Sequence, residues 1–122
     1  MESLKKLIRL SIEKFACAFS GLYSGIRYDR SIILQFCFAF ITVVFFLFYK
    51  ITWIEWLFVI TAIFTVLIAE YINSAIEDTC DLLVDRYDLQ VKEIKDIAAA
   101  AVLLAAIYAV IVASTIILRR FL

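Results

Sequence analysis

The stretch IEWLFVITAIFTVLIAEYINSAIEDTCDLLV, residues 54–84, decides the architecture of this chain. Its first half, up to Ala69, is almost entirely apolar, whereas its second half carries Glu70, Glu77, Asp78 and Asp81. No helix breaker separates the two halves. The pattern therefore predicts one long helix that begins inside a membrane and ends in water.

The composition of the whole chain is that of an integral membrane protein. Of its 122 residues, 66% are hydrophobic, the mean hydropathy is +1.00 and proline is absent, which is far outside the range of soluble domains. Three stretches of spanning size use most of the length, so we expect an all-α fold and one domain over 1–122. The expected helices are an amphipathic surface helix over 1–28 and span-containing helices over 31–49, 54–84 and 94–118, with a polar link over 85–93.

The first helix is predicted from apolar residues that recur three, four or seven positions apart, with the charged residues largely on another side. The apolar positions are Leu4, Ile8, Phe15, Phe19, Leu22 and Ile26, and the charged ones are Lys5, Lys6, Arg9, Glu13 and Lys14. A helix with such a basic flank can lie in the headgroup layer or dock on protein, and the pattern leaves both open. Gly21 and Gly25, the only glycines, allow a close helix contact or a bend.

The distribution of basic residues orients the predicted spans. Nine of the 12 lysines and arginines fall on the side of the membrane that holds the N-terminus and the polar link over 85–93, and three fall on the opposite side. Because cytoplasmic segments carry the excess of basic residues, we expect the acidic segment to face the cytoplasm. The net charge of +0 gives no attraction to nucleic acid, and three scattered cysteines without any histidine form no transition-metal pattern.

A row of small residues marks the last predicted span. Its members, four residues apart, are Ala101, Ala105, Ala109 and Ala113. Such a row lets helix backbones approach closely, either between subunits or within one chain. Because three spans make a thin bundle, we expect a homo-oligomer.

The polar residues in the second half of residues 54–84 share one helix face. At about 100° per residue, those within about 60° of Glu70 are Asn73, Ser74, Glu77 and Asp81. A solvated helix end explains charges here but does not require them to align with Glu70, a carboxylate at the membrane boundary that costs about 2 to 3 kcal/mol unless paired, hydrated or metal-bound. Oxygen ligands without histidine or thiolates suit Mg²⁺, which borrows phosphate oxygens. Lys95 and Asp96 would add a phosphate-directed cation and another polar ligand from the next helix.

Two segments on neighbouring predicted helices form a longer signature: EYINSAIEDTCDLLVD at residues 70–85 and KEIKDIAAAAVLLAA at residues 92–106. In their order and separation they resemble the small prokaryotic diacylglycerol kinase and undecaprenol kinase family, and the layout of three spans after a surface helix extends the resemblance over the whole chain. The resemblance implies an ATP-dependent lipid kinase, a phosphotransferase with an alcohol acceptor. It further implies a homotrimer in the inner (plasma) membrane of a prokaryote, with active sites at the cytoplasmic boundary.

The resemblance also implies roles for individual residues. The glutamate that matches Glu70 is the general base toward the lipid hydroxyl. The substrate-binding or supporting positions are Asn73, Ser74 and Asp81. The nucleotide-binding positions are Asp29, Glu77, Asp85, Lys95 and Asp96, and the Mg²⁺ ligands among them are Asp29 and Glu77.

Three positions depart from the family pattern. Asp29 stands where a glutamate is usual, so the carboxylate is kept but its reach is shorter. Ile33 replaces a common arginine, and Asp88 stands at the place of a common histidine. Because the base, the Glu77 ligand and the Lys-Asp pair are kept, we expect an active enzyme that uses Mg²⁺ and ATP.

The lipid substrate implied by the resemblance is undecaprenol or diacylglycerol, which both offer a primary alcohol. The segment CDLLVDRYDLQVKEIKD, residues 80–96, looks more like the undecaprenol kinases of Gram-positive bacteria than the diacylglycerol kinases of Gram-negative ones. The resemblance therefore favours undecaprenol as the substrate. The alternative is a non-catalytic helical membrane protein whose acidic face binds cations or a partner. An ion-conducting oligomer is disfavoured, because no polar stripe continues through the first or third span.

Overall fold

The chain folds into four helices without strands in a computed structural model that describes all 122 residues. The helices are α1, Glu2–Tyr28; α2, Arg30–Tyr49; α3, Trp53–Leu83; and α4, Leu89–Arg119. Each of the last three is long and apolar enough to cross a membrane. The predicted all-helical architecture with three helices of membrane-spanning length and apolarity is therefore confirmed, whereas the placement of α1 on the membrane surface stays a prediction.

The length of α3 agrees with a helix that leaves the membrane. Its 31 residues extend over about 46 Å at 1.5 Å per residue, which exceeds the hydrocarbon thickness of roughly 30 Å. A capping box formed by Thr52 and Glu55 fixes its start, because the two side chains bond N–H groups that the first turn leaves unpaired. The polar end of α3 therefore extends beyond the apolar half.

Aspartates begin the two helices on either side of α3. Asp29 N-caps α2 through Oδ1, which accepts hydrogen bonds from the N–H groups of Ser31 (2.8 Å) and Ile32 (3.3 Å). Asp88 caps α4 in the same way, with Oδ1 accepting from two backbone N–H groups at 2.8 and 3.2 Å. Aspartate is among the strongest N-cap residues, because its short carboxylate reaches these N–H groups.

The start of α4 differs from the sequence prediction. The polar pattern predicts a link over 85–93 and a helix from residue 94, but α4 begins at Leu89. Lysine, glutamate and glutamine are good helix formers, and the Asp88 cap removes the need for a longer loop. The polar residues before the apolar span consequently form the first turns of α4, alongside the polar end of α3.

The packed core lies at the end of the bundle away from Glu70. It consists of Phe46, Val59, Ala62, Val112 and Ile116. The contact between α3 and α4 is the most extensive, and α2 packs on α3. Only 13 of the 122 residues are buried, so the chain itself leaves most of its apolar surface uncovered.

The alanine row packs largely inside the chain. Ala105 is buried and Ala109 and Ala113 are half-buried, whereas Ala101 is exposed. Ala109 and Ala113 lie against the core. Contacts within the chain therefore use most of the row, and the homo-oligomer stays a prediction.

Arg120, just past α4, contacts the end of α2 at the end of the bundle that contains the core. Its guanidinium lies 4.4 Å from the centroid of the Tyr49 ring and donates hydrogen bonds to the carbonyls of Tyr49 and Lys50. Lys50, at φ 57°, ends α2 in the left-handed conformation. The Tyr49 hydroxyl in turn donates to the carbonyl of Ile117 (3.3 Å). These contacts tie the turn between α2 and α3 to the end of α4.

Candidate active site

Two glutamates on α3 are buried, and only one of them has partners. Glu55, 8% exposed, accepts a hydrogen bond from the N–H of Thr52 (3.1 Å) and lies within electrostatic reach of Arg119 and Arg120. Glu70, 5% exposed, has the carboxylates of Asp29 and Glu77 as its charged neighbours and forms no hydrogen bond or ion pair within the chain. A buried carboxylate among like charges is costly, so Glu70 indicates a place where a ligand or cation binds.

Asn73 and Ser74, one turn beyond Glu70, are also buried. Asn73 Oδ1 and Ser74 Oγ have no hydrogen-bond partner, whereas buried polar atoms in proteins almost always have one. The hydroxyls of Thr42, Thr61, Thr65, Thr79 and Thr115 each donate to the carbonyl four residues back. Ser74 forms no such bond although its hydroxyl is buried, and an unsatisfied atom of this kind costs about 1–3 kcal/mol. The missing bonds indicate a ligand from outside the chain.

Two further carboxylates lie within electrostatic reach of Glu70. Glu77, two turns along α3, accepts a long hydrogen bond from Asn73 Nδ2 through Oε1 (3.4 Å). Asp29 comes from the junction of α1 and α2, where its Oδ1 is occupied by the N-cap and its Oδ2 is left for a ligand. Carboxylates gathered in this way repel one another unless a cation lies between them.

The start of α4 supplies the positive charges. Lys95 Nζ forms an ion pair with Asp81 Oδ1 on α3 at 2.5 Å, and Glu77 lies within its electrostatic reach. Lys92 pairs with Asp96 on its own helix at 2.7 Å. Exposed ion pairs contribute little to stability, so either lysine can exchange its carboxylate for a phosphate at little cost.

The carboxylates fit a metal ion only together with ligands from outside the chain. No group of three or more His, Cys, Asp and Glu side chains is arranged to hold a metal ion. The donors present are the carboxylates of Asp29 and Glu77 and the unpaired amide oxygen of Asn73, which are the hard oxygens that Mg²⁺ prefers. Because Mg²⁺ is usually bound by one or two carboxylates plus water and phosphate, this donor set fits Mg²⁺ that arrives with a nucleotide.

An apolar groove between α3 and α4 reaches the site. Its volume is about 540 Å³, and Asn73 lies on its wall among apolar side chains that include Ile72, Ala101 and Leu104. A separate cavity of about 450 Å³ between α2, α3 and α4 lies deeper in the apolar part. The groove offers room for a hydrocarbon chain beside the polar face of α3.

The structure assembles most of the residues that the sequence predicts for the site, with two exceptions. Asp96 contacts only Lys92 on its own helix. Asp85 lies exposed in the connection between α3 and α4 and forms no hydrogen bond or ion pair. Tyr71 is not predicted from the sequence, and its hydroxyl donates to the carbonyl of Leu22 on α1 (2.8 Å). These two residues are 49 positions apart, and no local pattern in the sequence signals their contact.

The chain matches the model of a known protein family. The family model described as prokaryotic diacylglycerol kinase matches residues 16–117, which is most of the chain and contains every residue predicted for the site. No curated protein matches the chain. The matched region extends from α1 through α4.

Proposed function

The chain belongs to the prokaryotic diacylglycerol kinase family, and we propose that it transfers the γ-phosphoryl group of ATP to the primary hydroxyl of a membrane lipid. Family membership implies a lipid kinase, a phosphotransferase. As the acceptor we propose undecaprenol, which gives undecaprenyl phosphate, ahead of diacylglycerol, which gives phosphatidic acid. The observation that carries the proposal is Glu70, a buried carboxylate without a partner where the apolar half of α3 ends.

Glu70 is the proposed general base. It accepts the proton of the lipid hydroxyl while the lipid oxygen bonds to the γ-phosphorus and the bond from phosphorus to the ADP oxygen breaks. The position of Glu70 supports this role, because an alcohol that arrives from the membrane meets α3 at this level. Asn73 Oδ1 and Ser74 Oγ lack partners and are proposed to bond the substrate, whose chain would lie in the groove beside Asn73.

The nucleotide is proposed to lie on the water side of Glu70. Asp29 and Glu77 would hold Mg²⁺ together with the ATP phosphates, and the bound ion would neutralise phosphate charge. Lys95 would direct its charge toward the transferred group, and Asp81 holds Lys95 beside α3 before ATP binds. Asp85 and Asp96 complete the proposed nucleotide-binding set.

The proposed setting is a prokaryotic plasma membrane, with the site on the cytoplasmic side and three chains in a homotrimer. The excess of basic residues near the N-terminus and near the connection between α3 and α4 supports this orientation. α1 has no buried residue and exposes its apolar side chains, which supports a position in the headgroup layer. The small number of buried residues leaves surface for contacts between subunits.

A direct test is a radiolabelled-ATP assay of the purified protein with Mg²⁺, in which undecaprenol and diacylglycerol are compared in the same detergent. We expect labelled lipid phosphate with undecaprenol, in greater amount than with diacylglycerol. Glu70→Gln should lower kcat about 10²- to 10⁴-fold, the usual contribution of a general base. The matched control is Glu55→Gln. Glu55 is a buried glutamate of the same helix, and a glutamine at its position can still form the capping box with Thr52.

The outcomes separate the alternatives. If Glu70→Gln stays within a few fold of the wild type, or if Glu55→Gln is equally impaired, the assignment of the base is wrong. A protein that binds Mg²⁺ but does not consume ATP when either lipid is added would instead be a non-catalytic member of the family.

A further inference from the structure

α1 is attached to the rest of the chain near its C-terminal end. Among residues 2–28 only Gly25 is partly covered, and all the others are exposed. Apart from this contact, α1 touches mainly α2, which follows it directly. The surroundings of Gly25 therefore decide how the end of α1 lies relative to α3.

Tyr71 on α3 makes this contact. Its hydroxyl donates a hydrogen bond to the carbonyl of Leu22 (2.8 Å). Its ring lies so close to Gly25 that a Cβ there would clash with Tyr71 Cε1 and would be 2.9 Å from Tyr71 Cζ and 3.0 Å from Ile32 Cδ1. Non-bonded carbon atoms normally stay about 3.5–4.0 Å apart, so the ring fits only because residue 25 has no side chain.

The same contact is connected to Asp29. The N–H of Asp29 donates to the carbonyl of Gly25 (3.0 Å), which attaches Asp29, the residue after α1, to the last turn of that helix. Tyr71 directly follows Glu70, so the turn of α3 that presents the proposed base also holds the turn that presents Asp29. A ligand or catalytic group has to stay within roughly 0.5 Å of its productive position. The N-cap fixes the Asp29 carboxylate on α2, and the Tyr71 contact fixes the junction of α1 and α2 against α3.

We propose that Tyr71 is a positioning residue, which through Gly25 fixes the place of Asp29 relative to Glu70 and Glu77. This inference rests on the proposed kinase function, in which Asp29 and Glu77 meet Mg²⁺ and ATP. Tyr71 acts through Asp29 and touches no reacting atom. Loss of its contact should therefore weaken the use of MgATP and leave the chemical step intact.

Three single variants of the full chain test the proposal. Tyr71→Phe removes the hydrogen bond, and Gly25→Ala forces the ring away. Gly21→Ala is the matched control, because a Cβ at Gly21 meets no atom within 4 Å and both glycine changes gain similar helix propensity. We expect Tyr71→Phe to raise KM for MgATP about two- to tenfold, as for the loss of one hydrogen bond. Gly25→Ala should raise it at least as much, with kcat nearly unchanged, and Gly21→Ala should match the wild type.

A second measurement detects the contact between Tyr71 and α1 without an activity assay. Nitroxide labels on Cys17 of α1 and on Asp78→Cys of α3, both exposed positions, report the distance between the two helices, with Cys37 and Cys80 replaced by alanine. Dilution with unlabelled protein limits the signal to pairs within one chain. The distance distribution should broaden in Tyr71→Phe and Gly25→Ala but not in Gly21→Ala.

The coupling to Asp29 is tested in an Asp29→Asn background, where Tyr71→Phe should no longer change KM. An equal rise of KM in that background would show that Tyr71 does not act through Asp29. Unchanged label distances in Tyr71→Phe and Gly25→Ala would also overturn the proposal. A wild type without phosphotransfer activity would overturn the proposed function instead, since the label distances report on Tyr71 independently.

Discussion

Asp29 combines two roles that a substitution can separate. Its Oδ1 caps α2, and its charge faces Glu70. Asp29→Asn keeps the cap and removes the charge, and asparagine is about as good an N-cap residue as aspartate. We expect the free energy of unfolding to change by less than about 0.5 kcal/mol. The value of kcat/KM for MgATP should fall about 10- to 100-fold, a range known for weakened metal sites, which corresponds to roughly 1.4–2.7 kcal/mol of transition-state stabilisation.

Asp88 provides the matched control, because it caps α4 with nearly the same hydrogen bonds. Asp88→Asn should leave both the free energy of unfolding and kcat/KM for MgATP unchanged. Alanine at either position should lower the free energy of unfolding by about 1 kcal/mol, but only Asp29→Ala should also lose activity. Unfolding is followed by far-UV circular dichroism in mixed micelles with increasing SDS, and kcat/KM by initial rates at saturating Mg²⁺. If Asp29→Asn keeps kcat/KM within twofold, or if Asp88→Asn loses as much, Asp29 serves only as a cap.

Two further predictions concern the opposite end of the bundle. Arg120→Ala should lower the free energy of unfolding by about 1 kcal/mol, because it removes the contact with the Tyr49 ring and two hydrogen bonds at an exposed position. Arg119→Ala, which removes no hydrogen bond, should stay near the wild type in the same SDS titration, and equal losses would contradict the role of the Arg120 contacts. Phe46→Ala should cost about 3 kcal/mol or more, because Phe46 is 2% exposed in the core. A loss below about 1 kcal/mol would mean that the cavity collapses or that the core is loosely packed.

The helices were predictable because hydropathy and the absence of breakers specify them directly. α2 and α3 end within one residue of the expected 31–49 and 54–84. The predicted start of α4 is wrong because a run of polar residues is typical of a loop as well as of an exposed helix turn. Asp88 before a helix-forming segment is an N-cap signal, and this signal identifies the start at Leu89.

The candidate site was predictable only where its residues share one helix. The periodicity of α3 places Glu70, Asn73, Ser74 and Glu77 together without tertiary information. The pairing of Lys95 with Asp81 depends on how α3 packs on α4. The contact of Tyr71 with Gly25 depends on a backbone approach that no propensity describes. Such contacts join residues distant in sequence, and only the packed structure reveals them.

The departure at Asp29 has a structural explanation in these contacts. A glutamate at this position would reach farther toward the proposed nucleotide, but it is a poorer N-cap, because its longer side chain does not hold the N–H groups of the first turn as well. The aspartate is held by α2 and has a fixed, short reach. A short ligand needs its backbone to lie close to the site, and Tyr71 draws the end of α1 toward α3 through a contact that only glycine at position 25 permits. The cap, the glycine and the tyrosine thus belong to one arrangement, in which the shorter carboxylate and the close approach of α1 depend on each other.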